Sequence, residues 1–130
     1  MADVPKDLKY TREHEWAKQE SDRVRVGITA YAQDQLGDVV FVELPKVGAK
    51  VTAAKNFGVV ESVKAVSDLF APVSGEVVEV NGELLQKPET VNQDPYGKGW
   101  MIVVKPANKA EWDQLLTAQQ YEEYLAQGGH

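Results

Sequence analysis

The run Gly58-Val59-Val60-Glu61-Ser62-Val63-Lys64-Ala65-Val66-Ser67-Asp68-Leu69-Phe70-Ala71-Pro72-Val73-Ser74-Gly75-Glu76-Val77 decides how this chain folds. Two apolar arms flank one lysine, and the alternation of side chains breaks at Val63-Lys64-Ala65-Val66. Alternation with a period of two marks a strand with one buried face, and its interruption is where a tight hairpin reverses. The break therefore predicts two antiparallel strands with Lys64 at their tip. A lysine at a turn is ordinarily a solvated cation and nothing more. Here small Ala65 leaves the ε-amine open to a modifying enzyme, and acylation would turn a point charge into a neutral amide on a long flexible stem.

Similar signals recur on both sides of the hairpin. Residues 23–28, Arg-Val-Arg-Val-Gly-Ile, place Val24, Val26 and Ile28 on one face. Further strands are predicted at 39–44, 58–63, 69–71, 76–80 and 100–105, separated by turn signals such as Leu44-Pro45, Val47-Gly48, Ser74-Gly75, Asn81-Gly82 and the cluster over 92–99. This spacing predicts a mainly β fold, a sandwich or flattened barrel. Gly37-Asp38-Val39-Val40-Phe41-Val42 and Gly75-Glu76-Val77-Val78-Glu79-Val80 echo one another, as two halves of a sandwich would.

Helix is predicted in two places. Residues 29–36 have Thr29 as N-cap and Gly37 at the end. Residues 110–117 place Trp112, Leu115 and Leu116 on one side, and Thr117-Ala118-Gln119-Gln120 reads as a capping box that starts a second helix. From there Tyr121, Tyr124 and Leu125 form a stripe that packs on the sheet, ended by Gly128-Gly129. Residues 106–108 are a joint rather than a boundary, so residues 1–130 read as one domain with a core over about 8–106 and a helical segment over about 108–127.

The chain has 130 residues, a net charge of −6 and no cysteine. Structural disulfides, cysteine-ligated metals and thiol nucleophiles are thereby excluded. With only three arginines, Arg12, Arg23 and Arg25, an acidic chain is a poor match for nucleic acid. No apolar run approaches the ~20 residues that span a bilayer, and the first ten residues resemble neither a signal peptide nor a presequence. A cytoplasmic bacterial protein is expected, although a mature organellar form would read the same way. There is no GxSxG, GxGxxG, Walker or HExxH motif, and the two histidines are His14 and His130. Glu13-His14-Glu15-Trp16 reads locally as solvated surface with the Trp packed inward.

The hairpin run, with Glu61-Ser62-Val63-Lys64-Ala65, Ser67-Asp68 and Pro72-Val73-Ser74-Gly75-Glu76, resembles the lipoyl-lysine hairpin of the glycine cleavage system H-protein family. The resemblance extends through Tyr10-Thr11-Arg12-Glu13-His14-Glu15-Trp16, Gly27-Ile28-Thr29, Ala32-Gln33, residues 36–45 and Val91-Asn92-Gln93-Asp94-Pro95-Tyr96-Gly97-Lys98-Gly99-Trp100, nearly the whole chain. It implies a lipoyl/biotinyl-domain-like flattened β-sandwich (barrel-sandwich hybrid) and lipoic acid bound covalently to Lys64. The chain would be a non-catalytic shuttle. A pyridoxal-phosphate glycine decarboxylase (P-protein) loads an aminomethyl group on the arm, a folate-dependent aminomethyltransferase (T-protein) unloads it, and dihydrolipoamide dehydrogenase (L-protein) reoxidises the dithiol. A lipoate ligase, or an octanoyltransferase with lipoyl synthase, would install the arm, and the carrier would be a monomer.

In such carriers the loaded arm rests in a surface cleft, and the matching motifs assign Glu15 and Asp68, with Glu13 beside them, to hold its amine. If those carboxylates are solvent-exposed, the attraction is worth about 1 kcal/mol or less. Two positions depart from the family pattern: Val66 replaces a second small residue after Lys-Ala, and Lys98 a commonly acidic or small one. Neither touches the acceptor lysine. A biotin carrier would have Met on both sides of the lysine, and a 2-oxo acid dehydrogenase lipoyl domain an Asp-Lys-Ala run. An H-like platform for lipoyl assembly and transfer to other complexes would use the same Lys64.

Overall fold

The computed structural model describes residues 3–128. Its strands are β1 (Lys9–Tyr10), β2 (Glu15–Glu20), β3 (Arg23–Ile28), β4 (Val39–Glu43), β5 (Lys50–Val51), β6 (Asn56–Ser62), β7 (Val66–Phe70), β8 (Gly75–Val80) and β9 (Ile102–Pro106). The helices are α1 (Ala30–Leu36), α2 (Thr90–Gln93), α3 (Ala110–Asp113) and α4 (Ala118–Ala126), with a 3-10 turn at Gly82–Leu85. A six-stranded antiparallel sheet runs β1-β2-β3-β9-β8-β5, and a three-stranded one runs β4-β6-β7. The two sheets do not close into one barrel, and the fold is the mainly β sandwich the sequence predicts.

Alternation explains the core. Val24, Val26 and Ile28 of β3 point inward with Ile102 and Val104 of β9, and they meet Val42, Val60 and Leu69 from the smaller sheet. Burial of side chains this size contributes roughly 1.5–3 kcal/mol each. A second cluster, Leu8, Tyr10, Trp16, Ala118 and Tyr121, fastens α4 against β1 and β2. Trp16 lies so close over Gly27 that a Cβ there would stand 2.7 Å from the indole. Glycine is the one residue that fits under it.

The two echoing valine segments run into β4 and β8, one in each sheet. Other predictions need correction. The helix expected over 110–117 stops at Asp113, because Leu116 turns to pair with Tyr10 through two 2.8 Å backbone bonds. Thr117 is then extended (φ −72°, ψ 169°) and caps α4 instead of continuing a helix. Its capping box with Gln120 is present as the sequence suggests, as is the Thr29 cap of α1. Strand β2 escaped the pattern because Glu15, Trp16 and Ala17 are all buried, so no alternation survives. The hairpin strands start and end differently from the prediction, β6 at Asn56 and β7 at Val66.

Candidate functional site

Strands β6 and β7 pair up to Glu61 opposite Val66, leaving Lys64 in the connecting loop. Ser62 builds that loop: its N–H donates to Ala65 O (2.8 Å), and its hydroxyl accepts from Ala65 N–H (3.0 Å) and Lys64 N–H (3.3 Å). A serine satisfying its own turn in this way fixes the reversal without help from the core. The tip is also anchored from outside, since Val63 N–H donates to Asp38 O at 3.0 Å.

The segment that receives this bond also carries the lysine stem. Gly37 ends α1 with φ +78°, donating to Gln33 O, and a Cβ on it would stand 3.4 Å from Lys64 Cε. A side chain there would be strained by the positive φ, with its Cβ in van der Waals contact with the stem. Asn92 of α2 locks the same joint, accepting from Val39 N–H (2.8 Å) and donating to Gly37 O (2.8 Å) and Gln33 Oε1 (3.0 Å). Sequence reasoning treated residues 92–100 as a turn and missed this role.

Lys64 is exposed, and the ion pairs among the described residues do not include it. Around it stands an apolar collar that the sequence did not signal. Phe41 (47 % exposed) lies opposite Glu61, which lies opposite Val66 (68 %), with Val40 and Val63 also outward.

Beside the tip is an open cleft of about 330 Å³, whose lining includes Glu13, His14, Glu15, Tyr31, Ala65 and Asp68. The structure thus brings the three singled-out carboxylates to one cleft that begins next to Lys64. They are not equivalent. Glu13 and Asp68 are exposed, whereas Glu15 is 1 % exposed. Glu15 Oε1 accepts from the Thr11 hydroxyl (2.5 Å), and Oε2 accepts from Phe70 N–H (3.1 Å), so this carboxyl ties the six-stranded sheet to the end of β7. Burial pushes its pKa up to about 7, against the opposing pull of those hydrogen bonds, with Glu13 adding to the rise. The weak attraction of an exposed carboxylate therefore applies to Asp68 and Glu13, while the local reading of residues 13–16 as solvated surface is corrected for Glu15, whose charge is costly without a cation beside it. A larger cavity of about 540 Å³, bordered by Asp22, Arg23, Lys109 and Trp112, contains none of these residues.

His14, read locally as surface, belongs to the cleft wall. Its backbone is left-handed (φ +75°), with its N–H on Thr11 O and its carbonyl accepting from Thr29 N–H. That geometry aims the ring at aromatic neighbours: the Tyr31 centroid is 4.8 Å away, and Tyr121 Oη lies 2.8 Å from Nδ1. Tyr121 Oη also lies 2.8 Å from Thr29 Oγ1, and its ring stacks on Tyr10 at 4.7 Å. Burial raises the Tyr121 hydroxyl pKa well above its ordinary value, so it acts as a neutral donor and acceptor.

Comparison with known proteins assigns this arrangement to a family. The family model described as "Glycine cleavage H-protein" matches residues 8–128. The chain is similar to a glycine cleavage system H protein of Geobacillus sp. (strain WCH70), 61 % identical over 125 residues covering 96 % of this chain and 98 % of the relative. It is also similar to that of Carboxydothermus hydrogenoformans, 59 % identical over 129 residues covering 99 % of each. Among solved structures, a glycine cleavage system H protein from Mycobacterium marinum superposes with a TM-score of 0.86 at 46 % identity, covering 98 % of this chain and 100 % of the other.

Proposed function

Since the chain belongs to the glycine cleavage H-protein family, we propose that it serves the glycine cleavage system as a lipoyl carrier, with Lys64 as the attachment point. The observation that carries this is the exposed Lys64 amine on a self-braced loop, opening onto a cleft with three carboxylates. The residues present fit a lipoyl group. The amine is accessible and outside the ion pairs, the collar around it is apolar, and the absence of cysteine leaves no thiol in the chain to exchange with a dithiolane. When bound, that group supplies disulfide and dithiol chemistry and carriage of the aminomethyl cargo.

The chain's own residues position and shelter. Ser62, Asp38 and Gly37 hold the tip and leave the stem free to swing, which raises the arm's effective concentration at any enzyme docked within its reach. Glu13 and Asp68 offer exposed negative charge to a cationic cargo. Glu15 offers a buried carboxyl whose ionised form a cation would favour. As a carrier, the protein would meet a glycine decarboxylase, an aminomethyltransferase, a dihydrolipoamide dehydrogenase and a lipoate-attaching enzyme, acting as a monomer, one domain throughout and itself without catalytic residues. The bacterial relatives support a cytoplasmic setting. The relatives reported above are named for glycine cleavage, which favours the shuttle over the lipoyl platform.

Intact mass tests the attachment. Protein from lipoate-competent cells is expected to carry the lipoyl increment, and Lys64→Arg is expected to lose it; an unmodified wild type with a functional Lys64→Arg variant would refute the carrier reading. Reconstitution with the other three enzymes then tests glycine cleavage itself.

A further inference from the structure

Behind His14 in the cleft wall stands α4, which reaches that ring through a single hydroxyl. Tyr121 Oη sits between Thr29 Oγ1 and His14 Nδ1 at 2.8 Å from each. The direction of this chain of bonds follows from what each atom has left to give. Thr29 is fully buried, and its Oγ1 already accepts from Ala32 N–H at 3.1 Å. Its own proton needs an acceptor, since a buried hydroxyl proton left unpaired is costly. Tyr121 Oη is in place to take it. Tyr121 then has its proton to donate, and His14 Nδ1 is in place to receive it. An Nδ1 that accepts leaves the imidazole proton on Nε2.

We infer that Tyr121 is a positioning residue for the arm cleft, holding His14 as a neutral imidazole protonated on Nε2 through the relay Thr29 Oγ1–H to Tyr121 Oη–H to His14 Nδ1. The consequence rests on the proposed cleft function. A cationic cargo beside Glu13, Glu15 and Asp68 would be repelled by an imidazolium in the same wall, and the relay keeps the His14 ring from adding a positive charge there. The geometry is independently braced: His14 is held in its left-handed conformation by backbone bonds to Thr11 and Thr29, and Thr29 is the N-cap that starts α1, from which Tyr31 meets the ring.

The test reads the tautomer first. With His130→Ala removing the other imidazole, the ¹⁵N shifts of His14 are expected to report the Nε2-protonated form near neutral pH in the unlipoylated protein. An Nδ1-protonated wild type would overturn the relay, whatever happens to the carrier reading. Tyr121→Phe keeps the ring stacked on Tyr10 and removes only the hydroxyl. It is expected to give a tautomer mixture and to release formaldehyde and ammonia from the loaded arm about three- to tenfold faster, with Lys64 lipoylated at the normal rate. Tyr10→Phe is the packing control: its hydroxyl donates to Pro5 O at 2.5 Å, outside the relay, and it is expected to leave both tautomer and release rate unchanged. Release unchanged in Tyr121→Phe, or equally raised in Tyr10→Phe, would refute the positioning role. A wild type that is never lipoylated would sink the carrier function while leaving the tautomer measurement intact.

Discussion

Glu15 and Asp68 line the same cleft, yet one is buried between two hydrogen-bond donors and the other is exposed on the edge of a hairpin. The contrast separates two ways a carboxylate can serve a passing cation. An exposed carboxylate is ready before the cation arrives and gains little from it, because water screens the pair. A buried one is part of the framework and changes its protonation when a cation approaches. The proposed cleft, which would have to hold its cargo and then give it up, combines both.

The largest expected effect lies on the framework side. Glu15→Ala removes the acceptor for Thr11 and Phe70 and empties a buried volume, and is expected to cost about 2–4 kcal/mol in chemical denaturation. Asp68→Ala is expected to stay within about 0.5 kcal/mol of wild type. Equal losses would erase the distinction.

Acidity sharpens the comparison next. The Glu15 carboxyl titrates near 7 in the folded chain against 4.5 ordinarily. Its protonated form is favoured by folding, so the associated stability is complete below about pH 4.5 and is lost as the pH rises through about 7. Thermal unfolding is expected to show this decline, on the order of 3 kcal/mol at most, flattened in Glu15→Gln and retained in Asp68→Asn.

Asn92→Ala probes the other edge, where it unpairs Val39 N–H and Gly37 O beneath the lysine stem. A loss of about 1–3 kcal/mol is expected, and hydrogen exchange at Val39 is expected to rise. The smallest effect belongs to Asp68 in its proposed role: Asp68→Asn is expected to speed cargo release by up to about fivefold, an effect that shrinks as salt is raised.

Much of this was legible from residue order, and the gaps have physical causes. The hairpin, the Thr29 cap and the Thr117 capping box were visible because each depends on neighbours in sequence. Strand β2 was not, because a strand covered on both faces carries no alternation, and Glu15 looked like surface because acidic residues seldom lie buried. The three carboxylates were singled out through the family resemblance, not from local pattern. Asn92 and Tyr121 were passed over as a turn and a packing ring. Their roles depend on partners 53 to 59 and 92 to 107 residues away. The collar of Phe41 and Val66 went unnoticed because registry across three strands, not any single run, places them together.

The bond between His14 and Tyr121 closes a loop of 107 residues, whereas the Ser62 bonds that shape the lysine turn span three residues or fewer. Short closures form early and long ones late. During synthesis, then, the lysine proposed as acceptor is expected to reach its presenting shape while the ring of His14, in the wall of the proposed cargo cleft, still lacks its partner on α4. On the proposed function, the protein acquires the means of being modified before it acquires the full means of protecting what it carries, and α4 supplies the last piece of the second.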